Sequence, residues 1–549
     1  MRILQVVHGF PPYEWAGTEL VTLHLSQALR ARGHEVTVFT RTAGPGEEFS
    51  VSEEQVDGLP VVRVINNYTQ TTTFRLSYDN PFFFGPFIQL LDRIQPEIVH
   101  FQHVQHLSVS LIPLTVALGY PVVLSLHDFF FSCHRIHLLD AQTRLCSGPE
   151  HGTRCIPCLQ EFAPAEEVQQ RFSSMEQALH MADVIITPSD FLAGKIRSHF
   201  SCLGERLRAV PLGVHPVSAG HLAHAPGTPL RILYVGVFLP HKGAHILIEA
   251  LKGLPPDTFT ASLYGAVVPA LRSYVDQLRE EARDLPVRFF DGYPHGQIDS
   301  ILSQHEVLVM PMIWEETFSI LTREALMAGL PVVAARRGAL SEVIQDGVNG
   351  LLFEPENATD LQRCLARLVA EPDLLETLRA DRPHVKTPEE YARDVEAIYA
   401  EIVMGAPDGS LFPAERRQPQ AMMAARQLVR DLSEENSALR QQCARLQATQ
   451  ILAGQERDHL QQERERLQQE WDRMRQERER LQQDYENTAA TLRELEDILD
   501  VREEQLLERN ARLEAIYAST TWKLYRGYTM LINSLFRRPL DVLRGWLSR

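Results

Sequence analysis

The stretch that decides the fold is Val307-Leu-Val-Met-Pro-Met-Ile313, then Glu316-Thr-Phe-Ser-Ile-Leu-Thr-Arg-Glu324, then Ala325-Leu-Met-Ala-Gly-Leu-Pro-Val-Val333. The first run is apolar and short, as a buried parallel strand is. The middle segment reads as a loop and helix, and Pro331–Ala334 as the next buried strand. Glu316 then lies at the carboxyl end of a strand, where open α/β sheets bind ligands. Glu324 lies one to two turns into the helix, on the face shared by Ile320 and Ala328. A carboxylate on an inward stripe needs hydrogen-bond donors, and the vicinal hydroxyls of a sugar supply two. By themselves, both carboxylates could instead complement a helix amino terminus.

Working outward, the same grammar repeats twice. Ile3–Val7, Glu35–Thr40, Ile98–Phe101, Val122–Leu126 and Val184–Thr187 are strand-like, and Glu19–Arg32 carries apolar residues at helical spacing up to Gly33. A second series begins at Leu230–Gly236 and runs through Phe259–Tyr264, Val287–Phe290, Val307–Met312 and Pro331–Ala335. Alternating strand and helix means a parallel, doubly wound α/β sheet. Two such series, 1–210 and 211–404, predict two Rossmann-like domains facing a cleft. The region 405–425, with Gly, Pro, Ser and Arg, reads as a linker.

From Val429 to Ile516 one heptad register holds without a break. One core position carries Leu432, Leu439, Leu446, Ala453, Leu460, Leu467, Met474, Leu481 and Leu495. The other carries Val429, Asn436, Cys443, Trp471, Tyr485, Leu492, Leu499, Leu506 and Leu513. The pattern predicts a coiled coil over 426–516, on the order of 130 Å long at ~1.5 Å per residue. Asn436 and core arginines point to a parallel dimer; a lone charged helix is the bland reading. The last segment, 517–549, mixes Trp522, Leu524, Tyr528, Phe536 and Trp546 with Arg526, Arg537, Arg538 and Arg544. It suits either an anionic membrane surface or a protein partner.

Composition bounds the rest. The chain has 549 residues, 44% apolar and 8% aromatic, and a formal charge of −17, which argues against general nucleic-acid binding. Trp522–Arg549 has six Lys/Arg and one Asp, so this local +5 leaves −22 on the remainder. No secretory leader and no run of 18 apolar residues is visible, and seven cysteines, an odd number, fit a reducing cytoplasm. Neither first strand is followed by Gly-x-Gly-x-x-Gly, which argues against a nicotinamide enzyme. Cys133, Cys146, Cys155 and Cys158 form Cys-x12-Cys-x8-Cys-x2-Cys, a spacing that a structural zinc site could use and that four unligated thiols would also satisfy.

Glu-x7-Glu, the following Glu-Ala-x-x-Ala-Gly-x-Pro-Val-Val, Glu342-Val and Asp346-Gly-x-Asn-Gly350-Leu-Leu together resemble the nucleotide-sugar half of the retaining glycosyltransferases of family four, which have the GT-B fold. The resemblance covers roughly residues 1–404. It implies a nucleotide-sugar donor, a glycan or lipid-linked acceptor, and no cofactor for catalysis. It places Lys242, of Lys242-Gly243, on the donor diphosphate, Glu316 on the donor sugar and Glu324 on the ribose diol. His127, ending a strand beside Asp128, would point into the cleft. Gly17 would approach the diphosphate, Gly265 the nucleotide, and the Phe318-Ser319-Ile320 backbone the sugar hydroxyls.

Departures are visible. Ala16 stands for a glycine, Val237 for an arginine and Ser319 for a glycine, so Lys242 carries the diphosphate alone unless Arg323, Arg336 or His241 helps. No Asp-x-Asp occurs, which fits a metal-independent route. Retention in such enzymes is described as front-face attack, with the departing phosphate taking the acceptor's proton. The Cys-rich insertion resembles one that a subset of the family carries after the His-Asp pair, and the Ser-x-x-Trp-Lys-Leu phrase at Ser519–Leu524 resembles one at the ends of some bacterial polysaccharide enzymes. These readings predict a cytoplasmic transferase, peripheral on the inner membrane face, with a scaffold carrying a decayed transferase domain as the rival.

Overall fold

A computed structural model of the chain describes residues 1–69, 73–217, 224–225, 227–293, 296–405 and 419–535. The amino-terminal sheet has eight strands: β1 Arg2–Val6, β2 Glu35–Thr42, β3 Val51–Val56, β4 Leu59–Ile65, β5 Ile98–Phe101, β6 Val122–Ser125, β7 Val184–Thr187 and β8 Leu207–Ala209. Their order is β3-β4-β2-β1-β5-β6-β7-β8, and only the β3–β4 pair is antiparallel. The carboxyl-terminal sheet has six strands: β9 Leu230–Val235, β10 Phe259–Tyr264, β11 Val287–Phe290, β12 Val307–Met310, β13 Val332–Ala335 and β14 Gly350–Phe353. It is wholly parallel, in the order β11-β10-β9-β12-β13-β14. The apolar runs at β5, β6, β7, β12, β13 and β14 become strands buried along their length because helices cover both faces, while β10 and β11 towards the sheet edge are partly open.

The two-domain expectation holds, and the fold is GT-B: two Rossmann-like sheets facing a cleft. The hairpin β3–β4 is an addition to the sequence reading. Its turn is Asp57-Gly58, with φ of 50° and 78°, the left-handed pair that a tight hairpin requires.

In both sheets the strand order reverses near the middle, between β1 and β5 and between β9 and β12. The loops after these strands therefore open into the cleft. Helix Gly17–Ala31 follows β1, helix Ile320–Met327 follows β12, and helix Pro388–Met404 lies along Gly17–Ala31. Tyr391, Val395, Ile398, Tyr399 and Ile402 of that late helix share a buried cluster with Ile3, Val21 and Leu25. The end of the second domain is thus fastened to the first.

The chain divides into two compact units, Met1–Gln441 and Gln442–Arg549. The second holds most of a helix running Pro419–Ala518 and a further helix, Thr520–Leu535. The residues that carry the heptads lie on this helix. Most of the expected linker, 406–418, and the final residues of the basic tail, 536–549, lie outside the described residues. Among the described residues no helix is long and apolar enough to cross a membrane.

Candidate active site

Each cleft residue is placed by a strand end. Lys242 follows β9 and Glu316 follows β12, and their charged ends meet at 3.5 Å. Lys242 Nζ also sits 4.6 Å from the centre of the Trp314 ring. Gly243 fixes this corner: its φ is +76°, and a β-carbon there would strike Pro311 O at 1.8 Å. Glu316 is held through its backbone, since Ala339 N donates to Glu316 O at 2.8 Å and Gly338 lies too close for a side chain.

Thr317 ties Glu316 to the other domain. Its hydroxyl donates to His127 O at 2.7 Å, and its own carbonyl accepts from Ser189 Oγ at 2.7 Å. Beside it Lys195 and Glu315 pair at 2.7 Å, and Glu342 accepts from Phe191 N. Phe318 is buried in the amino-terminal cluster, and Arg323 lies over its ring. The Phe318 side chain is therefore a wedge between domains.

Ser319 takes φ 64°, a left-handed conformation in which glycine costs least. It compensates by capping: Oγ accepts from Thr322 N and lies 2.7 Å from Thr322 Oγ1. The two arginines named as helpers already have partners. Arg323 donates to the Phe318 and Ser319 carbonyls, and Arg336 pairs with Asp346 at 3.1 Å. His241 is buried with Nε2 unpartnered.

Glu324 opens into a 550 Å³ cavity with Gly17, Leu20, His24, Tyr293, Asp299 and Ile320. The helix start at Gly17 thus faces Glu324 across the cleft, with Ile320 Cδ1 3.4 Å from where a Gly17 β-carbon would lie. Burial, with a smaller push from Asp299, raises the Glu324 carboxyl to about 7. A β-carbon at Gly265 would meet Gly236 O at 2.3 Å and the Phe238 ring at 3.0 Å, so strand-end packing itself requires glycine there.

His127 heads a buried polar chain. Its Nε2 lies 2.9 Å from Gln102 Oε1; Gln102 Nε2 donates to Gln5 Oε1 at 3.0 Å; Gln5 Nε2 donates to the Tyr399 hydroxyl at 3.3 Å. Tyr399 is 2.6 Å from His100 Nδ1, and His100 Nε2 is 2.8 Å from Ser125 Oγ. Read head to tail, every donor finds an acceptor, which assigns the proton of His127 to Nε2. Burial and the neighbouring His103 lower the His127 pKa to about 4, so the ring is neutral near neutral pH. A second buried pair, His8 and Glu19 at 3.2 Å, lies under the loop before Gly17. Arg63 holds that loop by donating to Phe10 O and Pro11 O.

Cys133, Cys146, Cys155 and Cys158 are free thiols lining one cavity of 440 Å³. Burial raises the thiols of Cys133 and Cys155. Among the described residues no group of three or more His, Cys, Asp or Glu side chains is set to hold a metal. The four sulfurs thus share a cavity without forming the cage that the spacing suggested. The insertion nevertheless reaches the site. Leu139 is buried in the cluster of Leu233, Met310 and Trp314, and His137 lies 4.8 Å from the Trp314 ring centre. Sequence reading passed over His137, Thr317 and Gln102.

Residues 15–217 match the family model Glycosyltransferase Family 4, and residues 223–383 match Glycosyl transferases group 1. Glycogen synthase of Mycobacterium tuberculosis is 24% identical over 435 residues, which is 76% of this chain and 97% of that protein. The catalytic domain of starch synthase IV from Arabidopsis thaliana, solved with ADP and acarbose, superposes with a TM-score of 0.55 at 14% identity, covering 73% of this chain and 99% of that one. WaaG, a glycosyltransferase involved in lipopolysaccharide biosynthesis, gives 0.51 at 16% identity, covering 73% and 100%. The chain belongs to the GT-B glycosyltransferases, with a family-four amino-terminal domain and a group 1 carboxyl-terminal domain.

Proposed function

We propose that this protein is a retaining glycosyltransferase that moves a sugar from a nucleotide diphosphate to a glycan or lipid-linked acceptor in the assembly of a bacterial surface polysaccharide. The observation that carries the reading is the pairing of Lys242 with Glu316 at the ends of β9 and β12, with the backbone of His127 hydrogen-bonded to the residue next to Glu316, while Glu324, further along the same segment, lines a cavity with Gly17 of the other domain. Glu324 would accept from the ribose diol, and Glu316 would orient the sugar. Lys242 would balance charge as the anomeric C–O bond breaks onto the diphosphate. The acceptor hydroxyl attacks from the same face and passes its proton to the departing phosphate oxygen, so no protein nucleophile is needed. The ADP held by the starch synthase neighbour and the pathway of WaaG support the donor class and the setting. The absence of Asp-x-Asp supports a route without a catalytic metal.

Three further features belong to this reading. Leu460, Leu467, Leu481, Leu492 and Leu506 are exposed at heptad spacing on the long helix, which supports pairing with a second copy as a parallel dimer. Sedimentation should give a dimer for the full chain; a monomer at micromolar concentration would remove this element. The four-cysteine cavity would be the seat of a structural zinc, and metal analysis finding well under one equivalent would dismiss it. The basic tail would bring the enzyme to the inner face of an anionic membrane, read as vesicle co-sedimentation.

A nucleotide-sugar panel scored by nucleotide release tests the core of the proposal. Wild type should release nucleotide from at least one donor, and Glu324→Ala should lose most of that activity while staying folded. Release from no donor by wild type would overturn the reading.

A further inference from the structure

We propose that His137, carried into the cleft by the cysteine-rich insertion, is a second ligand for the donor diphosphate beside Lys242. The inference rests on the donor site described above and deepens it.

Four observations support the assignment. First, position: His137 lies 4.8 Å from the Trp314 ring centre and 4.4 Å from that of His241, and Lys242 Nζ sits 4.6 Å from the same indole. Trp314 is thus flanked by an ammonium and an imidazole. Second, scarcity of charge: Lys242 is paired with Glu316, while Arg323 and Arg336 are bound to carbonyls and to Asp346. A diphosphate entering here meets one cation that is already shared with a carboxylate. Third, backbone strain: the residues on either side of His137, Ile136 and Leu138, both have positive φ, 58° and 53°. A β-branched residue in that region is a genuine outlier, and such strain persists where the surroundings over-determine it, often at ligand clamps. Fourth, anchorage: Leu139, two residues from His137, is buried in the carboxyl-terminal core and also lines the thiol cavity with Cys133 and Cys146, which flank it in sequence.

The hydrogen-bonding state follows from the contacts. His137 Nδ1 lies 2.9 Å from Arg135 O, a carbonyl that can only accept, so Nδ1 carries the proton. In the free protein burial, then Lys242, hold the ring's pKa below its usual value, while Asp128 and Glu316 pull weakly the other way. The neighbouring His241 is also held neutral, by burial. His137 Nε2 is then a lone pair. A diphosphate adds negative charge beside it and favours protonation, so Nε2 takes a proton from solvent and donates it to a phosphate oxygen. Binding is coupled to proton uptake. The bound-state pKa exceeds the free-state value, so affinity is highest below the free-state pKa and falls as pH rises through the bound-state one.

The test is calorimetry on the full-length protein, with UDP and ADP as probes and uridine and adenosine as controls. Runs at acid and alkaline pH, each in two buffers of different ionisation enthalpy, give the protons exchanged. Glu324 also titrates on binding, but it is common to all variants, so differences from wild type isolate His137. We expect His137→Gln to weaken diphosphate binding roughly 10-fold, to leave nucleoside binding unchanged, and to lower proton uptake. His137→Phe keeps a ring against Trp314 and should lose as much. Full diphosphate affinity in His137→Phe would make the residue a packing element, and unchanged proton uptake in His137→Gln would deny it the phosphate; either result overturns the proposal. A wild type that binds neither nucleoside diphosphate overturns the donor site as well, and is told apart because no variant is involved.

Discussion

Replacing Glu324 with Gln should make the protein more stable and, at the same time, a poorer binder of its donor. The carboxyl is raised from 4.5 to about 7, first by burial and then by Asp299. Between those values the folded state holds a proton that the unfolded chain has released. The stability tied to the neutral acid is fully present below the unfolded value and is lost as pH rises through the folded one. The full shift corresponds to about 3 kcal/mol, and the cavity's opening to solvent reduces the expected effect to about 2 kcal/mol. Glu324→Gln has no charge to bury, so it should match wild type near pH 4.5 and exceed it by about 2 kcal/mol above pH 8. For a domain of this size that is a Tm gain of roughly 4–8 °C, read by calorimetry across the pH range. Donor affinity moves the other way: loss of charge-assisted hydrogen bonds to the diol should weaken binding roughly 10- to 100-fold. A Tm difference that stays flat between acid and alkaline pH would refute the buried-carboxyl argument. Undiminished donor affinity would refute the diol role.

Three other substitutions probe the site. Thr317→Val deletes the hydroxyl that reaches His127 O and should cost about 1 kcal/mol of unfolding free energy, with a several-fold fall in kcat/KM; a change in neither would show that the cross-domain bond is incidental. Gln102→Leu removes the acceptor that fixes His127, and nitrogen NMR of the ring should then show a mixture of tautomers, with kcat lowered at least roughly 10-fold; a single Nε2-protonated form in the variant would dismiss the relay. Ser319→Gly relieves a left-handed side chain costing about 1 kcal/mol while forfeiting a cap that glycine replaces at a cost of a few tenths, so the variant should be more stable by about 0.5 kcal/mol in urea titration.

What could be read from the chain is what local chemistry controls. β12 was legible because a parallel strand covered on both faces is a plain apolar run, and Glu316 because it follows such a run directly. Ser319 was legible as a cap because serine at a helix start has one obvious use. The missed residues act through partners far away in sequence. Tyr399 lies 394 positions from Gln5, and Thr317 lies 190 from His127. Nothing near His137 announces that left-handed turns at Ile136 and Leu138 will set it against Trp314. Gly265 carries a packing constraint that sequence does not show: a carbonyl and a ring already fill the space a β-carbon would take. Asp57-Gly58 carried a hairpin signal that the parallel pattern around it obscured.

The long-range contacts also bear on how the enzyme would turn over. Thr317 uses both its hydroxyl and its carbonyl on the opposite domain, and it sits between Glu316 and Phe318. Parting the domains therefore cannot leave Glu316 undisturbed. Two hydrogen bonds at about 1 kcal/mol each make the Thr317 contact worth about 2 kcal/mol, and the Lys195–Glu315 pair, the Glu342–Phe191 bond and the buried Phe318 ring add to the seam around it. Under the proposed function, contacts built on the residue next to Glu316 would couple closure of the domains to alignment of that carboxylate.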